Sequence, residues 1–358
     1  MTTVSTGFRV PGGHADHRPG LAALALALAT APLSVTPAGR AAAAGGALRG
    51  VLTARSALLD LWTPTGPPPV TDVWSTMDPI SDRAALSLDG LRRSAAQAEL
   101  AHPLERALHA VESAVWGRSR WTQCWGGPDE VYTGREIDEV LLSWSPAHSS
   151  PGIDEHDFVL PPTALHPWAD GPVLHFGTAP GPVGDPSTGR LELTLAVPLA
   201  EACATDGAVT VAAQLLAQPH SGILFDRLRV RRPLAYGIAA VPLVRGAHAA
   251  LVVTVSTTPE RAPDCARVMA DAVQELLAAP VPHPRLREAE RGIHRERTLA
   301  LVRLAAAQPP TPSQRCLLEA PRGTTGHLSL LPGARPRWAV RGVPADPALL
   351  ERTLEGAW

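Results

Sequence analysis

Arg229 and Tyr236 stand seven residues apart in the stretch HSGILFDRLRVRRPLAYGIAA, residues 220–240, and they are the residue types here whose spacing most invites chemistry. A guanidinium near the end of a helix and a phenol on the strand that follows are two donors able to hold a peptide carbonyl and to stabilise charge developing on its oxygen. By themselves they also read as a helix-surface arginine and a half-buried strand tyrosine. Two other polar groups compete for attention. His14, Asp16 and His17 have the spacing of a metal-binding loop, with Glu99 as a conceivable further ligand, which would make the chain an independent metallohydrolase. That loop lies in a Gly/Pro-flanked stretch without the second histidine group such sites need, so a solvated loop is the better reading. Asp154, Glu155, His156 and Asp157 read as exposed linker for the same reason. No Gly-x-Ser-x-Gly elbow supports a serine hydrolase, and the scattered glycines form no phosphate-cradling loop.

The elements that would position Arg229 and Tyr236 are legible around them. Residues 191–197 alternate apolar and polar as a strand with one buried face. Residues 206–217 carry helical spacing, and 221–232 form a second helix that Pro233 ends. Residues 234–241 and 249–255 follow as strands paired antiparallel through the loop at Arg245-Gly246. Thr258-Pro259-Glu260 opens a further helix, and another runs from 284 to 304. The order β-α-α-β-β-α-α describes an α+β domain with helices on one face of a mostly antiparallel sheet. Towards the amino terminus, alternation of Leu and Ala over 21–31 predicts a strand, followed by an Ala/Gly-rich helix near 39–48 and helical patterns over 88–116 and 133–144. The run 21–33 also mimics a signal-peptide core, which would make the protein secreted; the strand is the favoured reading.

A chain of 358 residues suits two domains, here 1–150 and 190–358, joined by a Pro/Gly/His-rich linker over 151–189. Its formal net charge of −2 offers no bulk field for nucleic acid or an anionic membrane. Lysine is absent, so all 32 basic side chains are arginines, a pattern that GC-rich coding explains without any phosphate-reading role. The cysteines Cys124, Cys203, Cys265 and Cys316 form no Cys-x-x-Cys pair, and reduced thiols in a cytoplasmic protein are expected.

Leu224-Phe225, Leu228-Arg229 and Leu234-Ala235-Tyr236-Gly237 together resemble the carboxy-terminal half of insulinase/pitrilysin-type zinc metallopeptidases. Pro233, where that family usually has glycine, and residues 220–222 depart from the pattern. The resemblance implies two related α/β-sandwich halves, each a mostly antiparallel sheet with helices on one face. It also implies that Arg229 and Tyr236 bind substrate. The family's His-x-x-Glu-His helix, which ligates zinc and activates water, occurs nowhere in the chain in either direction. Aligned on Gly39 and Leu48, its ligand positions fall on Ala42 and Gly46 and its water-activating position on Gly45; Glu99 resembles the third ligand, left alone. The resemblance therefore implies a non-catalytic subunit with no cofactor of its own. It would position peptides for a partner that carries the zinc, or serve as a purely structural core subunit.

Overall fold

The computed structural model describes residues 4–13, 16–31, 36–63 except 44 and 54, 102–116, 131–144, 174–176, 189–279, 283–305, 308–322 and 327–358, with isolated positions between 80 and 97. Two compact units result, Met1–Leu100 with Arg120–Leu160 and Thr298–Thr311, and Ala101–Ser119 with Pro161–Arg297 and Pro312–Trp358.

The first unit holds a three-stranded antiparallel sheet of β1 (Val4–Pro11), β2 (Ala47–Leu52) and β3 (Ser56–Thr63), with β3 in the middle. Helices α1 (Leu21–Thr30) and α2 (Pro37–Ala43) share its core with the helix Gly134–Ser143. The strand expected over 21–31 is therefore a helix. Leucine and alanine alternate there, but both are apolar, and Leu21 to Ala25, Leu28 and Ala29 are all buried. The alternation consequently said nothing about which face is inside, and the strong helix propensity of both residues decides. The first strand is β1, which precedes the stretch expected to form it. The helix expected near 39–48 also stops early: it ends at Ala43, Gly45 adopts φ 74°, and Leu48 already belongs to β2. Gly134–Ser143 begins as expected, with Thr133 and Glu136 exchanging capping-box hydrogen bonds, and the Trp144 indole N–H donates to the Gly12 carbonyl at 2.9 Å.

The second unit is built on a five-stranded sheet. Numbering on from the first unit, its elements are α3 (Pro103–Trp116), β4 (Leu174–Phe176), β5 (Leu191–Leu199), α5 (Glu201–Thr205), α6 (Ala208–Ala217), β6 (Ala235–Arg245), β7 (His248–Thr257), α7 (Ala262–Ala278), α8 (His283–Ala305, assigned to this unit as far as Arg297), α9 (Pro312–Glu319), β8 (Arg337–Arg341) and α10 (Pro347–Gly356), with α4 denoting Gly134–Ser143 of the first unit. The strand order is β4-β8-β5-β7-β6, antiparallel except for β4 beside β8. Thus a strand of the sheet falls inside the segment read as a linker, and β6 is an edge strand. The β6–β7 hairpin closes through Gly246-Ala247, with Gly246 at φ 60° in the first central position, where glycine relieves the steric cost.

Helices cover both faces of this sheet, not one. Leu193, Leu195, Val197, Leu251, Val253 and Val255 face a core shared with α6 and α7. Ala196, Val241, Leu243, Ala250 and Val252 face the other way, against Leu104, Leu108, Val111 and Val115 of α3 and Cys316 of α9. Burial on both sides explains why β7 reads as a near-continuous apolar run and why β5, whose alternation predicted one buried face, is buried along nearly its whole length. Charge fixes this second layer as well. Arg245, at the tip of β6, donates to Glu112 of α3 and, at 3.3 Å, to Glu319 of α9, with all three side chains almost fully buried. Arg315 of α9 pairs with Glu105 of α3. The Arg337 guanidinium reaches the Ala114 carbonyl in the last turn of α3 at 3.2 Å, where a cation favours the negative helix end.

Removing one partner from a buried pair strands the other charge, which costs about 3–5 kcal/mol. Glu112→Ala is therefore expected to destabilise the protein by roughly 3 kcal/mol, read as a lowered urea midpoint; a midpoint unchanged from wild type would show that Arg245 does not hold α3.

Candidate functional site

Between α6 and β6 the chain makes an unusual turn. Ile223–Phe225 is a single α-helical turn, and Asp226–Val230 continues it as a π-helix, closed by the Arg231 N–H donating to the Asp226 carbonyl at 2.8 Å. Such widened turns are rare and concentrate at functional sites. Leu224 and Leu228 are fully buried and fasten the turn to the core of the second unit, while Arg229 points to solvent. Gly222 starts it. A Cβ there would lie 2.7 Å from the amide nitrogen and carbonyl oxygen of Gln218 and from the carbonyl oxygen of Leu216, so no side chain fits. His220 precedes it at φ 70°, an uncommon backbone for a residue with a side chain, with its ring edge-on to Phe225 at 5.3 Å.

The strand that follows begins irregularly. Ala235 pairs with Thr257 and Gly237 with the adjacent Ser256, so Tyr236 is the extra residue of a β-bulge. Bulges re-aim a side chain next to a site, and Tyr236 is half exposed as a result. Arg229 holds the bulge in place: its Nε donates to the Ala235 carbonyl at 3.4 Å and one terminal nitrogen donates to the Tyr236 carbonyl. The guanidinium also sits 5.8 Å from the Phe225 ring centre. The two residues singled out from the sequence are thus brought together, but through the tyrosine backbone. The arginine's other terminal nitrogen and the tyrosine hydroxyl make no hydrogen bond among the described residues.

Two further arginines complete the place, and no spacing in the sequence pointed to them. Arg190, just before β5, lies 5.0 Å from the centre of the Tyr236 ring. Arg261, from the 3-10 turn Pro259–Arg261, donates to the Pro233 carbonyl. Arg229, Pro233, Leu234, Ala235, Tyr236 and Arg261 line a surface pocket of about 350 Å³. Behind it the Thr257 hydroxyl donates to the Leu234 carbonyl and accepts from the Cys265 thiol at 3.3 Å. Burial pushes the Cys265 thiol up from its ordinary value, which keeps it a neutral donor and not a nucleophile.

The expected zinc positions fare differently. Ala42 is exposed at the end of α2, Gly45 turns the chain away from the helix, and Gly46 leads into β2, so the three do not share one helical face. The helix that follows the first strand is α1, made only of Leu, Ala and Thr, so no register along it supplies a histidine or a glutamate. Glu99 and His14 lie outside the described residues. The Asp16 carboxylate accepts from the Gly13 amide at 3.1 Å in a local turn, and burial lowers the pKa of His17 below the ordinary histidine value. No three His, Cys, Asp or Glu side chains among the described residues are grouped to hold a metal ion.

Residues 181–292, the segment that contains the π turn, the bulge and Arg261, match the family model described as the peptidase M16 inactive domain. No curated protein matches the chain in sequence. Among solved structures, the chain is similar to a peptidase M16 inactive domain from Pseudomonas fluorescens, at 13% identity and TM-score 0.59, covering 96% of this chain and 94% of that one. It is similar to a putative M16-like peptidase from Alicyclobacillus acidocaldarius, at 12% identity and TM-score 0.56 over 96% and 93% of the two chains. A chain of complex III2 from Candida albicans is matched at 12% identity and TM-score 0.52 over 90% and 82%. At these identities the likeness outside the inactive domain is one of fold: α+β, with two sheets that are mostly antiparallel and helices packed on them. No helix among the described residues is long and apolar enough to cross a membrane.

The backbone approach at Gly222 gives the inactive domain a sharp test. Gly222→Ala forces a Cβ against three backbone atoms, and overpacking of this kind costs about 1–3 kcal/mol. The variant is expected to unfold at lower urea than wild type, whereas Gly356→Ala, where a Cβ meets nothing within 4 Å, is expected to match it; equal midpoints for the two variants would contradict the geometry.

Proposed function

We propose that this chain is the non-catalytic, substrate-positioning subunit of a heteromeric insulinase-type zinc peptidase acting on peptides, organised as two related halves over 1–150 and 190–358. The observation that carries the reading is Tyr236, presented with Arg229 at a bulge at the exposed end of an edge strand, in a chain without His-x-x-Glu-His whose described residues group no metal ligands. An edge strand offers unpaired amide and carbonyl groups to an extended peptide, which adds to the sheet as a further strand. The Tyr236 hydroxyl and the unengaged nitrogen of Arg229 are then donors for a peptide carbonyl at that edge. Placing donors where charge gathers on the carbonyl oxygen polarises the bond that the partner attacks. The partner, a homologue with His-x-x-Glu-His on its own first-half helix, supplies the zinc and the water-activating carboxylate. The match of residues 181–292 to the peptidase M16 inactive domain supports the non-catalytic part of this reading, and a cytoplasmic location belongs to the same proposal.

The likeness to a chain of complex III2 supports a second reading, a structural core subunit with no part in peptide handling. One experiment separates them. Co-expression with a His-x-x-Glu-His homologue is expected to yield a complex that cleaves peptides. Arg229→Ala in this chain is expected to lower kcat/KM of that complex by roughly 10²-fold, the scale of losing one preorganised donor, and Tyr236→Phe to lower it less. A complex that forms but whose activity ignores both substitutions favours the structural reading. Equal activity of the isolated chain and the complex would overturn both.

A further inference from the structure

The pocket beside the bulge is charged in one direction. Arg190, Arg229 and Arg261 are all exposed, and none of them has an ion pair among the described residues. The hydrogen bonds of Arg229 and Arg261 go to backbone carbonyls of Pro233, Ala235 and Tyr236, which carry no full negative charge. The neighbouring arginines of the same turn behave otherwise: Arg227 is paired with Glu275, and Arg231 with Asp226 at 2.7 Å. Glu260, beside Arg261 in sequence, accepts from its own backbone N–H and the Thr258 hydroxyl and is also drawn down by the Arg261 charge, but it does not line the pocket. Two arginines thus line a cavity of about 350 Å³ whose lining holds no carboxylate, and a third stacks on the tyrosine that forms its wall. Arginine forks match carboxylates in geometry as well as charge.

The pocket also has a direction. It opens at the start of β6, and the residues Ala235 to Ala240 that run away from it are exposed or half-buried, whereas 241–245 are buried. A strand added to the free edge would pass the pocket at one end and continue along the exposed half of β6. A ligand seated this way presents a side chain to the arginines while its backbone runs on.

We propose that Arg190, Arg229 and Arg261 form a subsite for a glutamate or aspartate side chain of an extended peptide laid along the free edge of β6, so that this subunit selects acidic peptides. The proposal rests on the peptide-positioning reading above and adds to it a preference that the reading does not require.

The test uses the full chain and fluorescent twelve-residue peptides with amidated carboxy termini, identical except for two central positions that are Glu, Gln or Arg, with binding followed by anisotropy at low salt. The Glu peptide is expected to bind about tenfold more tightly than its Gln counterpart, the scale of one hydrogen-bonded charge pair, and the Arg peptide more weakly than either. The advantage should shrink in 0.3 M salt, as exposed charges are screened. It should disappear in Arg261→Ala and in Arg190→Ala, which alter exposed side chains and are checked for folding by thermal unfolding, and it should persist in Arg352→Ala on α10. Equal binding of Glu and Gln peptides overturns the subsite while leaving the peptide-positioning reading in place. A Glu preference unchanged in both pocket variants also overturns it. Failure of every peptide to bind, together with an inactive co-expressed complex, removes the subsite and the reading beneath it.

Discussion

Arg245 is the constraint from which the second unit is organised. A guanidinium buried at the tip of the β6–β7 hairpin would be intolerable alone, and its two carboxylate partners come from different helices, Glu112 of α3 and Glu319 of α9. The pairing therefore decides what covers the second face of the sheet and at what height. It also decides the character of β6. One end of the strand is sealed between the sheet and two helices, while the other, where Tyr236 bulges out, has no such cover. A single strand thus has an immobile end and an available end, and the available end carries the residues with chemistry to offer.

The same division recurs in how arginine is used. With lysine absent, every cationic contact falls to a guanidinium. Where carboxylates or helix ends stand opposite, as for Arg245, Arg315 and Arg337, arginines stitch helices to the sheet. Around Tyr236 they hold backbone carbonyls instead, shaping a turn and a bulge without an ion pair among the described residues. Composition could not separate these two roles, since the residues that decide between them lie far away in sequence.

What the sequence disclosed follows from this. β5, α6, β6, β7, α7 and α8 were legible because each has a periodic pattern, a cap or a proline that acts locally. The first helix was misread because Leu and Ala carry no contrast when both are buried, and β4 and β8 were missed because they are short and owe their place to distant partners. The second layer, α3, had a clear helical pattern, yet nothing local indicated which sheet it would cover. For the site, the seven-residue interval between Arg229 and Tyr236 was visible, and it identified the inactive domain. The bulge, the π turn and the arrival of Arg190 and Arg261 were not, since strand register and the ends of other elements produce them.

The π turn at Asp226–Val230 has a meaning for how this loop tolerates change in length. A π turn is an α turn with one residue inserted, and successive residues on an α-helix are displaced by about 100° around its axis. Loss of any single residue between Ile223 and Leu228 would let the segment relax into an ordinary helix, and Arg229 would rotate off the bulge carbonyls while the buried leucines lost their register. The aim of the arginine is thus a matter of residue count as much as of residue identity. Substitutions along the exposed side of this turn are a tolerable route for divergence, and one-residue deletions are not.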